Sequence, residues 1–245
     1  MASELCSSLR LKDKDLSGKL LQVVEEHGAS STFVIASLMW NATRTSTSIC
    51  LVALQNSSTH YQNVAKKLGF NLTAVDNKTV VLDPVWEKSL TEPTNLELSR
   101  LDGTLYEDVK TALASMSGKK CLIVDDLSVL ITAGVDLAGV VSLLQCLRQL
   151  MEDDKDLSLL VCSHVSENCE DHRLLADFTS HVADLRVTVA PLRTGFSTNV
   201  TGSLEVVDNL EPIFGSASDK KVFHFKLTDR QIKVFAPGTV GVFGR

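Results

Sequence analysis

The feature that most constrains the fold is a short apolar run that ends in two carboxylates, at residues 119–126. Its centre, residues 121–124, holds only apolar side chains, which is typical of a strand buried on both faces of a parallel sheet. Asp125 and Asp126 would then lie at the carboxyl edge of that sheet. In P-loop ATPases a carboxylate at this place holds Mg²⁺. The run therefore predicts one half of a nucleotide site.

The other half, a phosphate-binding loop, is missing from the sequence. The pattern GxxxxGK[ST] should follow the first strand, but neither Gly18-Lys19 nor Gly118-Lys119 has a glycine five positions earlier. After the predicted first strand, residues 20–24, the chain continues with residues 25–31, which begin with two adjacent glutamates. Those carboxylates would repel a polyphosphate. The sequence thus predicts an ATPase-like scaffold that has no catalysis of its own.

Composition limits the class of protein further. The 245 residues carry a net charge of −6, which argues against a free-standing nucleic-acid binder because phosphate affinity comes from clustered Lys and Arg. The six cysteines form no CxxC pair, which favours reduced thiols in an intracellular protein. We expect the protein in the cytoplasm and also in the nucleus. The N-terminus has no secretory signal pattern, and the apolar centre of the longest uncharged span, residues 33–40, is too short to cross a membrane.

Strand-like and helix-like segments alternate along the chain, which predicts an α/β fold with a mostly parallel sheet covered by helices on both faces. The C-terminal third changes to period two at residues 223–227 and 232–234, which predicts an antiparallel hairpin with a turn at Asp229-Arg230. Residues 84–99 are predicted to be a surface excursion. We expect one domain over residues 1–245, with a core from about 18 to 238 and short flexible ends. The predicted helices span residues 31–41, 59–68, 102–116 and 137–151, and the predicted strands span residues 20–24, 49–54, 79–82, 121–126, 157–162 and 182–189.

Three groups of residues could carry chemistry, and a structural role is favoured for each. Asp125 and Asp126 could hold a metal ion or could cap strand-end amides; without a phosphate loop the second is favoured. The polar segment 164–173 contains His164, Cys169 and His172, but their spacing matches no common zinc pattern, so a solvated loop is favoured over a metal or nucleophile site. The glycine-rich residues 238–244 precede no helix and are interpreted as a flexible tail.

Two arginines are candidates for contacting nucleic acid. Arg173 follows the fifth predicted strand, and Arg193 lies in the segment 191–196 after the next one, so both are expected in loops at the carboxyl side of the sheet. In ring-forming RecA-like proteins such loops face the central channel. Either arginine could equally form an ordinary ion pair with a nearby acid such as Glu170 or Asp171.

Four segments, in order along the chain, resemble the sixth subunit of the eukaryotic Elongator complex. They cover most of the chain from about residue 20 to residue 238, and the combination is more specific than any one segment. The segments are residues 52–69, residues 122–130, residues 193–204 with Val200-Thr201-Gly202-Ser203-Leu204 at their end, and residues 223–238 with Phe223-His224-Phe225-Lys226-Leu227 at their start.

This resemblance implies a RecA-like fold without a Walker A loop. It implies a hexameric ring with two copies each of the fourth, fifth and sixth subunits, which binds tRNA and supports modification of the wobble uridine U34. The chemistry belongs to a different subunit, so no catalytic, cofactor-binding or metal-binding residue is expected here. The predicted helix 137–151, apolar on two sides, and the C-terminal hairpin are the expected partner surfaces. Two alternatives remain: an ATPase with an unconventional loop, and a degenerate recombinase-like accessory protein acting on DNA.

Overall fold

The computed structural model describes residues 2–72, 79–84, 101–195, 197–209, 219–228 and 231–238. The turn at Asp229-Arg230, nearly all of the predicted surface excursion at 84–99, and the glycine-rich tail beyond Gly238 lie outside these residues. The strands are β1 (Leu20–Glu26), β2 (Ser48–Ala53), β3 (Thr79–Leu82), β4 (Lys120–Asp125), β5 (Leu157–Val165), β6 (Leu185–Ala190), β7 (Gly202–Asp208), β8 (Asp219–Thr228) and β9 (Gln231–Phe235). The helices are α1 (Ala2–Ser8), α2 (Thr32–Arg44), α3 (Ser58–Lys67), α4 (Leu101–Ala114), α5 (Ser128–Thr132), α6 (Leu137–Asp153) and α7 (Glu170–Val182).

These nine strands form one sheet in the order β3-β2-β4-β5-β1-β6-β7-β8-β9. The pairings from β3 to β6 are parallel, and those from β6 to β9 are antiparallel. The predicted α/β fold with a mostly parallel sheet and antiparallel C-terminal strands is therefore confirmed. Parallel neighbours place their carboxyl ends together, so β4, β5 and β1 end side by side.

Two hydrophobic clusters fill the two faces of the sheet, and successive residues of the central strands alternate between them. Leu51 and Ile123 belong to the cluster under α2 and α3, whereas Val52 and Val124 belong to the cluster under α4, α6 and α7. Both faces of the parallel strands are thus covered, which explains why these strands read as continuous apolar runs.

The helix ends follow local rules of capping. Asp136 begins α6 and its Oδ1 accepts a hydrogen bond from the Gly139 amide at 2.7 Å, as its place before the apolar pattern predicts. Helix α3 is capped by Ser57, whose side chain accepts from the His60 amide, and not by the predicted Thr59. In α6, Leu143 is only 4% exposed, so the predicted second apolar face is reduced to an exposed Cys146 and a half-buried Leu150.

The structure differs from the sequence-based prediction at two further places. The predicted polar loop 164–173 and strand 182–189 are wrong in their bounds, because β5 runs on to Val165 and α7 occupies Glu170–Val182. Arg173 therefore lies in the first turn of a helix and not in a loop. The N-terminal residues contribute to the core: α1 and the turn after it bury Leu5, Leu9 and Leu11, although the sequence predicts a core that begins near residue 18.

Among the described residues, no helix combines the length and the apolar character that crossing a bilayer requires.

Candidate functional site

The carboxyl ends of three neighbouring strands bring together the acidic side chains that the sequence singles out. Asp125 ends β4, Asp126 follows it, Glu25 lies near the end of β1, and His164 lies near the end of β5 opposite Glu25 in the parallel register. Strand alternation places Glu25, Asp125 and His164 on the face that α2 covers. This is the edge at which open α/β sheets bind ligands.

Short hydrogen bonds connect these side chains to the loops around them. Glu25 Oε2 accepts from the Ser31 amide at 2.5 Å, and Glu25 Oε1 lies 3.4 Å from His164 Nδ1. Asp126 Oδ1 accepts from the Ser128 amide at 2.6 Å. The Ser128 hydroxyl in turn accepts from the His164 amide at 2.8 Å. The carboxylates of Glu25 and Asp126 are therefore used to hold the chain's own backbone.

Burial makes the paired aspartates hard to ionise. Asp125 is 1% exposed and Asp126 is 3% exposed. Burial, followed by the charges of Asp126 and Glu25, raises the pKa of Asp125 well above its usual value. Burial also raises the pKa of Asp126 to about 6, although the hydrogen bonds from Ser128 oppose the shift. The nearby His164 ring lies against Glu25, with Nδ1 3.4 Å from Glu25 Oε1. Asp126 caps the Ser128 amide, as the structural interpretation predicts, whereas neither carboxyl oxygen of Asp125 accepts a hydrogen bond from a described backbone amide.

The His-Cys segment is not the solvated loop that the sequence predicts. His164 lies in β5, Cys169 immediately precedes α7, and His172 is buried in α7 with its Nε2 3.4 Å from Thr132 Oγ1. Burial, and the nearby His164, lower the pKa of His172. Within the residues that the structure describes, no group of three or more His, Cys, Asp or Glu side chains is arranged to hold a metal ion.

A groove beside the carboxyl edge contains both predicted arginines. It consists of two adjoining cavities of about 530 and 400 Å³ on the face of β6, β7 and β8 away from α2. Arg193 lines the larger cavity and Arg173 lines the smaller one. The residues that line both cavities are Glu26, Thr188, Pro191 and Glu205. The structure thus places the two arginines along one continuous groove, hereafter the arginine groove.

Further cations lie on the floor of the arginine groove. Glu205 Oε1 on β7 is 3.6 Å from Arg186 Nη2 on β6 and 2.9 Å from Lys220 Nζ on β8, so two cations share one carboxylate. Arg173 pairs with Glu170 at 3.1 Å, with both side chains mostly exposed, as the ion-pair alternative predicts. Arg193 is exposed in the turn after β6. Sequence reasoning missed Arg186 and Lys220. Side-chain alternation along β6 does indicate that Arg186 lies on the opposite face of the strand from the buried Val187.

Comparison with known proteins gives a consistent picture. The chain matches the family described as Elongation complex protein 6 over residues 2–229. It is 26% identical to Elongator complex protein 6 of Drosophila melanogaster over 253 aligned residues, which cover 99% of each chain. It is 28% identical to the Xenopus laevis protein of that name, covering 97% of this chain and 98% of that one. It is 30% identical to the Rattus norvegicus protein of that name, covering 78% and 80%.

A solved structure shows the same fold. The KaiC-like protein of Pyrococcus horikoshii OT3 aligns with a TM-score of 0.58 and 12% identity, covering 89% of this chain and 90% of that one. At that identity the likeness concerns the fold alone, and it confirms the predicted RecA-like architecture. The family match over nearly the whole sequence shows that the chain belongs to the Elongation complex protein 6 family.

Proposed function

We propose that this chain is a non-catalytic subunit of the Elongator complex. Together with the fourth and fifth subunits it would form a hexameric RecA-like ring, with two copies of each, that binds tRNA and supports modification of the wobble uridine. The observation that supports the non-catalytic role is the carboxyl edge, where Glu25 accepts a hydrogen bond from the Ser31 amide before α2 and both aspartates are buried. Such a subunit contributes shape and surface, and the chemistry belongs to another subunit.

The arginine groove is the surface that we assign to tRNA. Arg173 and Arg193 lie at two cavities with four lining residues in common, and Arg186 and Lys220 share the Glu205 carboxylate. The groove is lined by four cations, Arg173, Arg186, Arg193 and Lys220, and by four carboxylates, Glu26, Glu167, Asp177 and Glu205, so the exposed Arg173 and Arg193 are the groups that we expect to reach phosphate. Phosphate contacts position nucleic acid without reading its sequence. A chain with a net charge of −6 can still contribute one such groove to a binding site that several subunits share.

Replacing both groove arginines tests this assignment. In the purified ring, Arg173→Ala with Arg193→Ala should weaken tRNA binding by about tenfold, which corresponds to about 1.4 kcal/mol. The salt dependence of the binding constant should also become less steep, by roughly one for each lost phosphate contact. Electrophoretic mobility shift at several salt concentrations measures both quantities, and size-exclusion chromatography checks that the ring still forms.

The matched control removes two positive charges at the opposite edge of the sheet. Lys119 and Lys155 are both exposed. Lys119 directly precedes β4, and Lys155 lies shortly before β5 begins. Lys119→Ala with Lys155→Ala should leave tRNA affinity unchanged. Equal weakening by the two double variants would mean that net charge, and not the arginine groove, sets the affinity. An intact ring with unaltered affinity after the arginine replacements would refute the assignment.

Assembly itself is tested by affinity purification of the tagged chain from cells, followed by mass spectrometry. The proposal predicts that two other RecA-fold Elongator subunits co-purify in equal amounts. Recombinase partners and a preference for single-stranded DNA over tRNA would instead favour the accessory role on DNA.

A further inference from the structure

Helix α2 begins where a phosphate-binding loop would place a phosphate, directly after the first strand and its turn. The exposed amides at a helix start carry partial positive charge and attract anions. Helix α2 supplies no anion of its own: its first turn has no acidic residue, and the Ser31 side chain makes no capping hydrogen bond. A 13-residue helix thus begins without a side-chain cap of its own.

A carboxylate from the preceding strand takes that role. Glu25 is 91% buried, since only 9% of it is exposed, and its Oε2 lies 2.5 Å from the Ser31 amide nitrogen. The turn between them is tight: the Ala29 amide donates to the Glu26 carbonyl, and Gly28 has a φ of +82°. The second oxygen of Glu25 faces His164 at the end of β5. One side chain therefore ties β1, the start of α2 and the end of β5 together.

We propose that Glu25 is a built-in anion that permanently occupies the phosphate position at the start of α2. The junction of β1 and α2 is thereby held in the arrangement that a bound anion would impose, with no nucleotide needed. A subunit of this kind has one fixed state at its carboxyl edge, whatever the nucleotide concentration. The inference concerns the isolated chain and does not depend on ring assembly or on tRNA.

The test removes the carboxylate and follows the amide that it holds. Glu25→Ala should increase hydrogen exchange in peptides that cover residues 29–36, while peptides from β8 and β9 keep their exchange rates. The melting temperature should fall by about 5 °C, as expected for loss of a hydrogen bond to a charged group in a chain of this size. Glu25→Gln keeps an oxygen acceptor but removes the charge, so it should retain only part of the protection.

A small anion should replace the missing side chain. We expect sodium formate to restore the melting temperature of the Glu25→Ala variant toward the wild-type value, whereas sodium chloride at the same ionic strength does not. The control is Glu26→Ala, which removes the same charge from the exposed neighbouring residue. It should show neither the increased hydrogen exchange in residues 29–36 nor the recovery of melting temperature with formate. Unchanged protection of residues 29–36 in Glu25→Ala, or an equal formate response in the Glu26→Ala control, would overturn the proposal.

Discussion

Asp126→Asn should make this protein more stable above pH 7 and leave its stability unchanged near pH 4. The folded state raises the pKa of Asp126 from 3.8 to about 6, so the folded protein keeps the proton that the unfolded chain loses. The neutral carboxyl favours folding at low pH, and this contribution is lost as the pH rises from about 4 through 6. At about 1.4 kcal/mol per pKa unit, the loss is up to about 3 kcal/mol. Asparagine never ionises, and its oxygen can still accept from the Ser128 amide.

Chemical denaturation of the wild type and the variant at pH 4 and pH 8 measures this difference. Comparing the two proteins at each pH cancels the contribution of the other titrating groups. Asp156→Asn is the matched control, because Asp156 is exposed near the opposite edge of the sheet, and it should change stability at neither pH. If Asp126→Asn were destabilising at pH 8, the buried carboxyl would be making an interaction as an anion, and our account of the aspartate pair would be wrong.

Gly202→Ala should cause a large loss of stability, of about 3 kcal/mol. A Cβ at this position, in the first residue of β7, would lie 2.5 Å from the Ala190 carbonyl oxygen and 2.8 Å from Phe225 Cζ. Neither neighbour can move easily. The carbonyl belongs to the backbone of β6, and Phe225 is 2% exposed and stacks on Phe33 with ring centroids 4.7 Å apart. The glycine thus allows β6, β7 and β8 to approach closely.

Thermal unfolding of the full chain checks this expectation. For a chain of about this length, 3 kcal/mol lowers the melting temperature by about 6–12 °C. Ser203→Ala at the next residue, on the other face of β7, is the control and should stay within about 0.5 kcal/mol of the wild type. If Gly202→Ala had the same melting temperature as the Ser203→Ala control, β7 would be able to move away from β6 at little cost in stability.

The strands of the parallel core and the absence of a phosphate loop could be predicted from the sequence, because both depend on local patterns. Residues 121–124 are apolar throughout, and the positions after them carry the two aspartates. The order of the strands could not be predicted, since it depends on pairings between distant segments such as Leu20 and Leu159. Sequence alternation indicates that Glu25 shares a face with Val23, but its contact with Ser31 depends on the turn at Gly28.

The helix α7 was missed for a different reason. Its first turn consists of four polar residues, a composition that is also typical of a solvated loop: Glu170, Asp171, His172 and Arg173. Acidic residues are in fact favoured in the first turn of a helix, where they face the positive end of the dipole. Placing Arg173 on this helix is what brings it to the smaller cavity of the arginine groove. The N-terminal helix α1 was missed because its apolar residues span too few turns to show a period.

The most direct test of the account is isothermal titration of the purified full chain with ATP in the presence of Mg²⁺. The account predicts no saturable binding at millimolar nucleotide, because the sequence has no GxxxxGK[ST] loop and Glu25 already binds the Ser31 amide before α2. It therefore predicts no turnover by the chain alone. Saturable binding at micromolar ATP, abolished by Asp125→Asn, would contradict it.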